Sequence, residues 1–223
     1  MKNLLLIFIL IFGNSALAQE SEIDNLMVEA NKAFNASDFQ TAKDKYASVI
    51  KIDSTKRGAL FNLGATHLNL GDNNKACSLF QKAYSHGDID SYDVIMQYCG
   101  KLEYSEKMFQ WHVDESFKFQ QEGQFVEVIL NKKEINPDFI ELLKSEIKKS
   151  KELKRIKEKV IITLNVDIGG NLKTKVGGKI SSEQKQKLLE ILHTMTEYQP
   201  ATYQNRKVEL FGGGYALPLI INK

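Results

Sequence analysis

The sequence lacks a strong net charge and any long hydrophobic run. Its 30 Lys and Arg residues face 28 Asp and Glu residues, which leaves a formal charge of only +2. Nucleic-acid-binding domains usually carry a marked basic excess, so this balance argues against that class. The longest apolar stretch is Leu4–Phe12, whereas a membrane-spanning helix needs about 20 residues. We therefore expect no nucleic-acid partner and no membrane span in the mature chain.

Patterns typical of catalysis or metal binding are also absent. The histidines do not pair at metal-ligand spacing, and no Cys-x-x-Cys occurs; they are His67, His86, His112 and His193. The glycine clusters at residues 177–178 and 212–214 lack the strand-loop-helix setting and the lysine of a phosphate-binding loop. Ser181-Ser182 before Glu183 is typical of a helix cap. We expect a binding protein and not an enzyme, with no catalytic residue, cofactor or metal.

Cysteine is scarce, with only Cys77 and Cys99. An exported protein meets oxidising conditions, so a disulfide between them is chemically permitted. The alternative is two small buried side chains that never meet. Sequence alone leaves both alternatives open.

The amino terminus has the pattern of a secretory signal peptide. Lys2 precedes the short apolar run, and Ala16-Leu17-Ala18 is an A-x-A cleavage site. No cysteine follows the site, which argues against a lipoprotein anchor. We expect residues 1–18 to be removed and the mature chain to be exported, most simply to the periplasm.

A self-match at a spacing of 34 residues follows the signal. Ile23–Lys56 aligns without a gap on Arg57–Asp90 and matches Ala30 with Gly64, Ala42 with Ala76, and Tyr46 with Phe80. This period, with small residues beside an aromatic, resembles two tetratricopeptide repeats. The resemblance implies two α-helical hairpins that stack into a protein-binding surface. We assign residues 22–100 to them, with a helix near 91–99 as the cap of the stack.

The expected groove lies on the first helix of each repeat. Its residues are Met27, Asn31, Phe34, Phe61, Asn62, Ala65 and Asn69. Some peptide-binding members of the family clamp a terminal carboxylate here with a lysine, but this chain has Met27 at that position. We therefore expect a mixed groove for an extended or helical peptide.

The carboxy-terminal half mixes strand and helix patterns. Residues 101–136 are irregular, with short extended pieces around Glu122-Gly123, and we treat them as a connecting segment. Pro137 is suited to the first position of a helix. Val160–Ile168 alternates like a strand, Gly169-Gly170 indicates a two-residue hairpin turn, and 172–176 is the partner strand. A helix over 182–198 follows, and then a strand pair or a bent strand over 207–221 that Gly212–Gly214 interrupts as a bulge or turn.

This order of helix, hairpin, helix and strand in 137–223 resembles the carboxy-terminal domain of TonB-type energy transducers. The matching residues are Asp167–Asn171 in the hairpin, Tyr198 and Pro200, Lys207 and Val208, and Pro218 in the last strand. The resemblance implies β-strand pairing with a segment of an outer-membrane receptor, through the edge at Lys207–Ile221. The anchoring helix and the proline-rich spacer of the family are missing here, and the chain has only three prolines.

Together these features predict an α+β protein of the periplasm. The function expected from the resemblance is a TonB-like domain that binds an outer-membrane receptor or related partner, with the tetratricopeptide module as adaptor. The alternative is a tetratricopeptide scaffold or peptide-binding protein with no role in energy transduction or transmembrane transport. The sequence does not name the partner or the oligomeric state.

Overall fold

The chain folds as two units, Met1–Glu103 and Tyr104–Lys223. The computed structural model describes residues 2–156 and 158–220. The fold is α+β, as expected from the sequence. In this described part, no helix has both the length and the apolar character that a membrane crossing requires.

The first unit is built from helices that pack in the order of the sequence. Each helix packs against the next one along the chain. The helices are α1 (Lys2–Asn35), α2 (Phe39–Ile52), α3 (Arg57–Asn69), α4 (Asn73–Ser85) and α5 (Ser91–Tyr98).

Equivalent caps start the second helix of each hairpin. The Asp38 carboxylate accepts a hydrogen bond from the Thr41 N–H at the start of α2, and Asp72 accepts one from Lys75 at the start of α4. Each cap satisfies an N–H group that has no partner within the helix. The two aspartates are 34 residues apart, so the local chemistry follows the sequence repeat.

Small residues occupy the closest helix contacts of the first unit. Ala30, Ala42 and Ala76 are fully buried beside the large aromatics Tyr46 and Phe80. Gly64 lies against the Phe80 ring so closely that an added Cβ would come within 2.8 Å of a ring carbon. The hairpins pack tightly because these positions carry almost no side chain.

A disulfide joins Cys77 in α4 to Cys99 at the carboxy-terminal end of α5, with 5.7 Å between the Cα atoms. Of the two alternatives left open by the sequence, the structure contains the bridge. Beside it, the Gln81 amide donates to the Lys101 carbonyl and accepts from the Glu103 N–H. These contacts hold the last residues of the first unit against α4.

The second unit contains two longer helices and several short strands. The helices are α6 (Pro137–Lys149) and α7 (Ser182–Thr194). The strands are β1 (Lys107–Met108), β2 (Lys118–Gln121), β3 (Gln124–Glu127), β4 (Ile129–Leu130), β5 (Glu134–Ile135), β6 (Lys159–Val166), β7 (Leu172–Gly177), β8 (Tyr198–Gln199), β9 (Ala201–Tyr203), β10 (Arg206–Leu210) and β11 (Tyr215–Ile220).

The sheet with the longest strands is antiparallel and has the order β11-β6-β7. Two further three-stranded sheets have the orders β1-β10-β9 and β3-β2-β8, and β4 pairs with β5. Because β2 pairs with β8, residues of the expected connecting segment belong to the second unit. This unit therefore begins well before residue 137.

The β6–β7 hairpin differs from the predicted two-residue turn. Val166 pairs with Leu172, so the loop has five residues, Asp167–Asn171, and β6 ends at Val166 instead of Ile168. The Asp167 carboxylate accepts hydrogen bonds from the N–H groups of Gly169 and Asn171. These hydrogen bonds from the backbone to the Asp167 side chain stabilise a five-residue loop in place of a two-residue turn at the glycines.

Two strands separated by a glycine turn follow near the end of the chain, which is one of the two alternatives that the sequence left open. Gly212, Gly213 and Gly214 all have positive φ angles, between 72° and 79°, which favour glycine. The turn that they form places β10 and β11 in different sheets. The preceding helix, α7, ends at Thr194 instead of residue 198, because Tyr198 begins β8.

Candidate protein-binding surfaces

Three helices of the first unit meet at the side-chain oxygen of Asn31. The Tyr46 hydroxyl of α2 donates to Asn31 Oδ1 at 2.6 Å, and Asn62 Nδ2 of α3 donates to the same atom at 3.3 Å. Asn31 is exposed and Asn62 is half-buried. Two of the residues that sequence placed in the groove are thus joined directly, and Tyr46, which sequence placed only in the core, orients them.

The other predicted groove residues surround this polar group. Asn31 shares one face of α1 with Met27 and Phe34 because their spacing follows the helical period. Phe34 makes an edge contact with Phe39 at 5.5 Å between ring centroids, and Phe61 makes one with Phe80 at 5.3 Å. The half-buried apolar residues of the set are Met27, Phe34, Phe61 and Ala65, and Asn69 is exposed at the end of α3.

Some groove residues also pack against the hydrophobic core. Met27, Phe34 and Phe61 pack against the buried cluster of the first unit while leaving part of their surface open. Asn69 Nδ2 donates to the Ala65 carbonyl one helical turn earlier. The face therefore has polar groups at its centre and apolar side chains on either side. Such a face can bind a peptide through hydrogen bonds to its main chain and apolar contacts with its side chains.

The Tyr46 hydroxyl is the donor in its contact with Asn31. Removal from water raises the pKa of Tyr46, and the hydrogen bond with Asn62 acts more weakly in the opposite direction. Because the phenol stays protonated at neutral pH, its proton is directed at Asn31 Oδ1. Within the described part of the chain, no hydrogen bond from Asn31 Nδ2 is present, so this amide nitrogen can still donate.

Most of the TonB-like motif residues serve the interior of the second unit. Tyr198, Pro200 and Val208 are buried. The Tyr198 hydroxyl donates to the Leu192 carbonyl at 2.9 Å, and burial raises the pKa of this phenol. The exposed members are Lys207, whose carbonyl accepts from the Tyr104 hydroxyl, and Pro218. The structure does not gather these residues into one exposed site.

The predicted pairing edge at Lys207–Ile221 is divided and partly closed. β10 lies between β1 and β9; residues 209–210 pair with β1 and residues 206–208 pair with β9, so part of each side is already occupied. β11 is an outer strand of its sheet, but Pro218 lies in its middle. Proline has no N–H to donate, so this strand offers an incomplete edge.

The direction of each main-chain group in the β11-β6-β7 sheet follows from two hydrogen bonds. The Asp167 N–H donates to the Asn171 carbonyl, and the Lys175 N–H donates to Thr163 Oγ1 on β6. Hydrogen-bonded and non-bonded pairs alternate along an antiparallel ladder. The N–H groups of Thr174 and Val176 therefore face away from β6. The backbone nitrogen of Pro218 in β11 faces away from β6 as well.

The outer side of β7 was missed by sequence reasoning. β7 is the last strand of its sheet among the described residues. An open cavity of about 590 Å³ lies beside it and is lined by Lys107, Lys173, Lys175, His193 and Glu209, among others. The lysines at alternate positions of β7 were visible in the sequence, but the pattern could not show that this edge stays unpaired.

Among the residues that the structure describes, no three His, Cys, Asp or Glu side chains lie close enough together to hold a metal ion. His67 instead lies 3.3 Å from the Asp72 carboxylate that caps α4. No protein-family model matches this sequence, and no curated protein matches it either.

Proposed function

We propose that this chain is an exported protein-binding adaptor, and that the face around Asn31 and Asn62 holds an extended peptide. The observation that carries the proposal is the hydrogen-bonded group of Asn31, Tyr46 and Asn62 at the meeting point of three helices. The 34-residue repeat and its equivalent caps support a tetratricopeptide-like module in this unit.

A peptide bond offers one donor and one acceptor, and the asparagine pair complements both. Asn31 Oδ1 is occupied by two donors, and its amide nitrogen has no acceptor within the described part of the chain. Asn62 uses its nitrogen on Asn31, and its oxygen has no donor within the described part of the chain. An extended peptide could therefore donate to Asn62 and accept from Asn31 while its side chains contact Phe34 and Phe61.

A second candidate function is receptor binding by the second unit. The order α6, β6–β7 hairpin, α7 and β11 supports a TonB-like domain, since this is the order that the resemblance implies. The paired state of β10 and Pro218 in β11 weigh against the edge first expected. For this reason we place the peptide-binding face of the first unit ahead of the receptor reading.

The test uses peptides selected from a displayed library against the whole protein, recovered from the periplasm of an expression host. Its first residue there should be Gln19. Affinities of selected peptides are measured by calorimetry for the wild type and for Asn31→Asp. The carboxylate still accepts from Tyr46, but it cannot donate to a peptide carbonyl.

We expect Asn31→Asp to weaken binding about five- to tenfold, the effect of losing one hydrogen bond. Asn25→Asp is the matched control, because Asn25 is an exposed residue of the same helix on another face. Equal affinity of the two variants for every selected peptide would refute the groove. Retained binding by residues 104–223 alone would favour the second candidate, provided that this fragment folds.

A further inference from the structure

We infer that the outer edge of β7 accepts an extended acidic segment of another protein as an added strand. Leu172, Thr174 and Val176 point their main-chain N–H and C=O groups away from β6, by the alternation established above. In the described part of the chain, no hydrogen-bond partner is present for the main chain of Thr174 or Val176. A row of unpaired groups of this kind is a template for a further strand.

The two strands of the predicted pairing edge, β10 and β11, are less suited to this role. β11 presents outward positions 216, 218 and 220, and proline at 218 removes the central donor. β10 is already paired with β1 at residues 209–210 and with β9 at residues 206–208. β7 carries no proline, and its outward donors recur at every second residue without a gap.

The charge around β7 selects an acidic partner. Lys173 and Lys175 project on the same face of the strand, and Lys107 and His193 line the same cavity. Glu209 is the one acidic residue in this lining and lies 3.3 Å from Lys173 Nζ, and Asp167 of the adjacent loop lies 3.9 Å from the same atom, so Lys173 already has two acidic partners. Lys175 has no ion pair in the described residues and is exposed. Opposite charges that face each other across two strands stabilise the pair.

The lysines also argue against a second copy of this chain as the occupant. If two β7 edges paired with each other, the lysines of both strands would lie on shared faces of the extended sheet. Like charges opposite each other destabilise strand pairing. A segment with Asp or Glu at alternate positions removes this repulsion and meets Lys175 directly.

The opposite face of β7 sets the remaining side chains of the partner. Thr174 and Val176 are half-buried there. Thr174 Oγ1 is buried and has no hydrogen-bond partner in the described part. Small β-branched residues of an added strand would pack beside these two side chains. The inferred ligand is thus an extended segment that alternates acidic and small apolar residues.

This site is separate from the helical face around Asn31, so either proposal can be refuted without affecting the other.

The probe is a capped heptapeptide of alternating Val and Glu, and the control peptide alternates Val and Lys. Both are titrated into the whole protein by calorimetry, and amide hydrogen exchange is followed residue by residue. We expect the Val-Glu peptide to bind and to protect the amides of Thr174 and Val176.

Two variants test the inference from opposite directions. Val176→Pro removes an outward donor, and Val176→Thr keeps it as the matched control. We expect the proline variant to lose detectable binding and the threonine variant to retain it. Lys175→Glu should weaken the Val-Glu peptide about two- to fivefold and improve the Val-Lys peptide. Circular dichroism verifies the fold of each variant.

Several outcomes would overturn the inference. One is protection of Ala216 and Ile220 instead of Thr174 and Val176, since this would place the peptide on β11. Another is loss of binding in Asn31→Asp, which would place it in the helical groove and leave the proposed function standing. If Val176→Pro fails to fold, an unchanged peptide preference in Lys175→Glu refutes the site by itself.

Discussion

Gly64 in α3 is the position where one added methyl group tests the packing of the first unit most directly. An alanine Cβ at this position would lie 2.8 Å from Phe80 Cε1 and 3.0 Å from two other ring atoms. Phe80 is fully buried, and its ring also contacts Phe61. The ring therefore has little room to move away from the new methyl group.

Two effects of Gly64→Ala oppose each other. Alanine in a helix interior is favoured over glycine by about 1 kcal/mol. Overpacking a closed core costs about 1–3 kcal/mol. We expect the clash to win because three ring atoms lie at or within 3.0 Å. The net loss in the free energy of unfolding should be about 0–2 kcal/mol.

Gly58→Ala is the matched control in the same helix. The nearest atom to its new Cβ is Met27 Cε at 3.9 Å, which is an ordinary contact. This variant should be neutral or more stable by up to about 1 kcal/mol. The two variants should then differ by up to about 3 kcal/mol, and each kcal/mol shifts the melting temperature of a unit of this size by about 4–8 °C.

The assay is thermal and urea unfolding followed by far-ultraviolet circular dichroism, which reports mainly on the helices. The result that would refute the reasoning is a Gly64→Ala protein at least as stable as Gly58→Ala. The Phe80 ring would then be free to yield, and the small residue at position 64 would not be required by the hairpin contact.

Two further predictions concern the disulfide and a buried phenol. Replacing Cys77 and Cys99 together with serine opens a loop with a sequence separation of 22; it should lower the free energy of unfolding by roughly 3 kcal/mol, and dithiothreitol should then destabilise only the wild type. Burial, with a smaller effect of the Glu127 charge, raises the pKa of Tyr215 from 10.0 to about 12. The folded state thus favours the neutral phenol, so this stabilisation is complete below pH 10 and is lost as the pH rises towards 12. Unfolding between pH 8 and 12 should show a weaker alkaline loss in Tyr215→Phe than in the wild type, and equal losses would contradict the assignment.

The helical hairpins could be predicted because their determinants are local. Asp38 and Asp72 cap helices within three residues of themselves, and the small residues recur at the repeat spacing. The bridge between Cys77 and Cys99 could not be decided in this way, since it depends on how α5 packs against α4. In the groove, the spacing identified Asn31 and Asn62 but not the Tyr46 hydroxyl that joins them.

The candidate edge in the second unit was harder to predict, because alternation along a strand reports burial and not pairing. Tyr198 and Val208 belong to the motif that resembles the TonB family, yet both are buried. Their presence is therefore accounted for by packing in the core, without a role in binding. Pro218 was the informative residue. A proline within a paired strand must turn its nitrogen away from the ladder, so its presence marks both an outer strand and a missing donor on that strand. The same alternation, carried through β6, turns Thr174 and Val176 outward on the far side of the sheet. Of the two outer strands of this sheet, β7 is therefore the one with a complete row of donors, and it also carries Lys173 and Lys175. These two features favour binding of an acidic strand at β7 over binding at the edge implied by the resemblance.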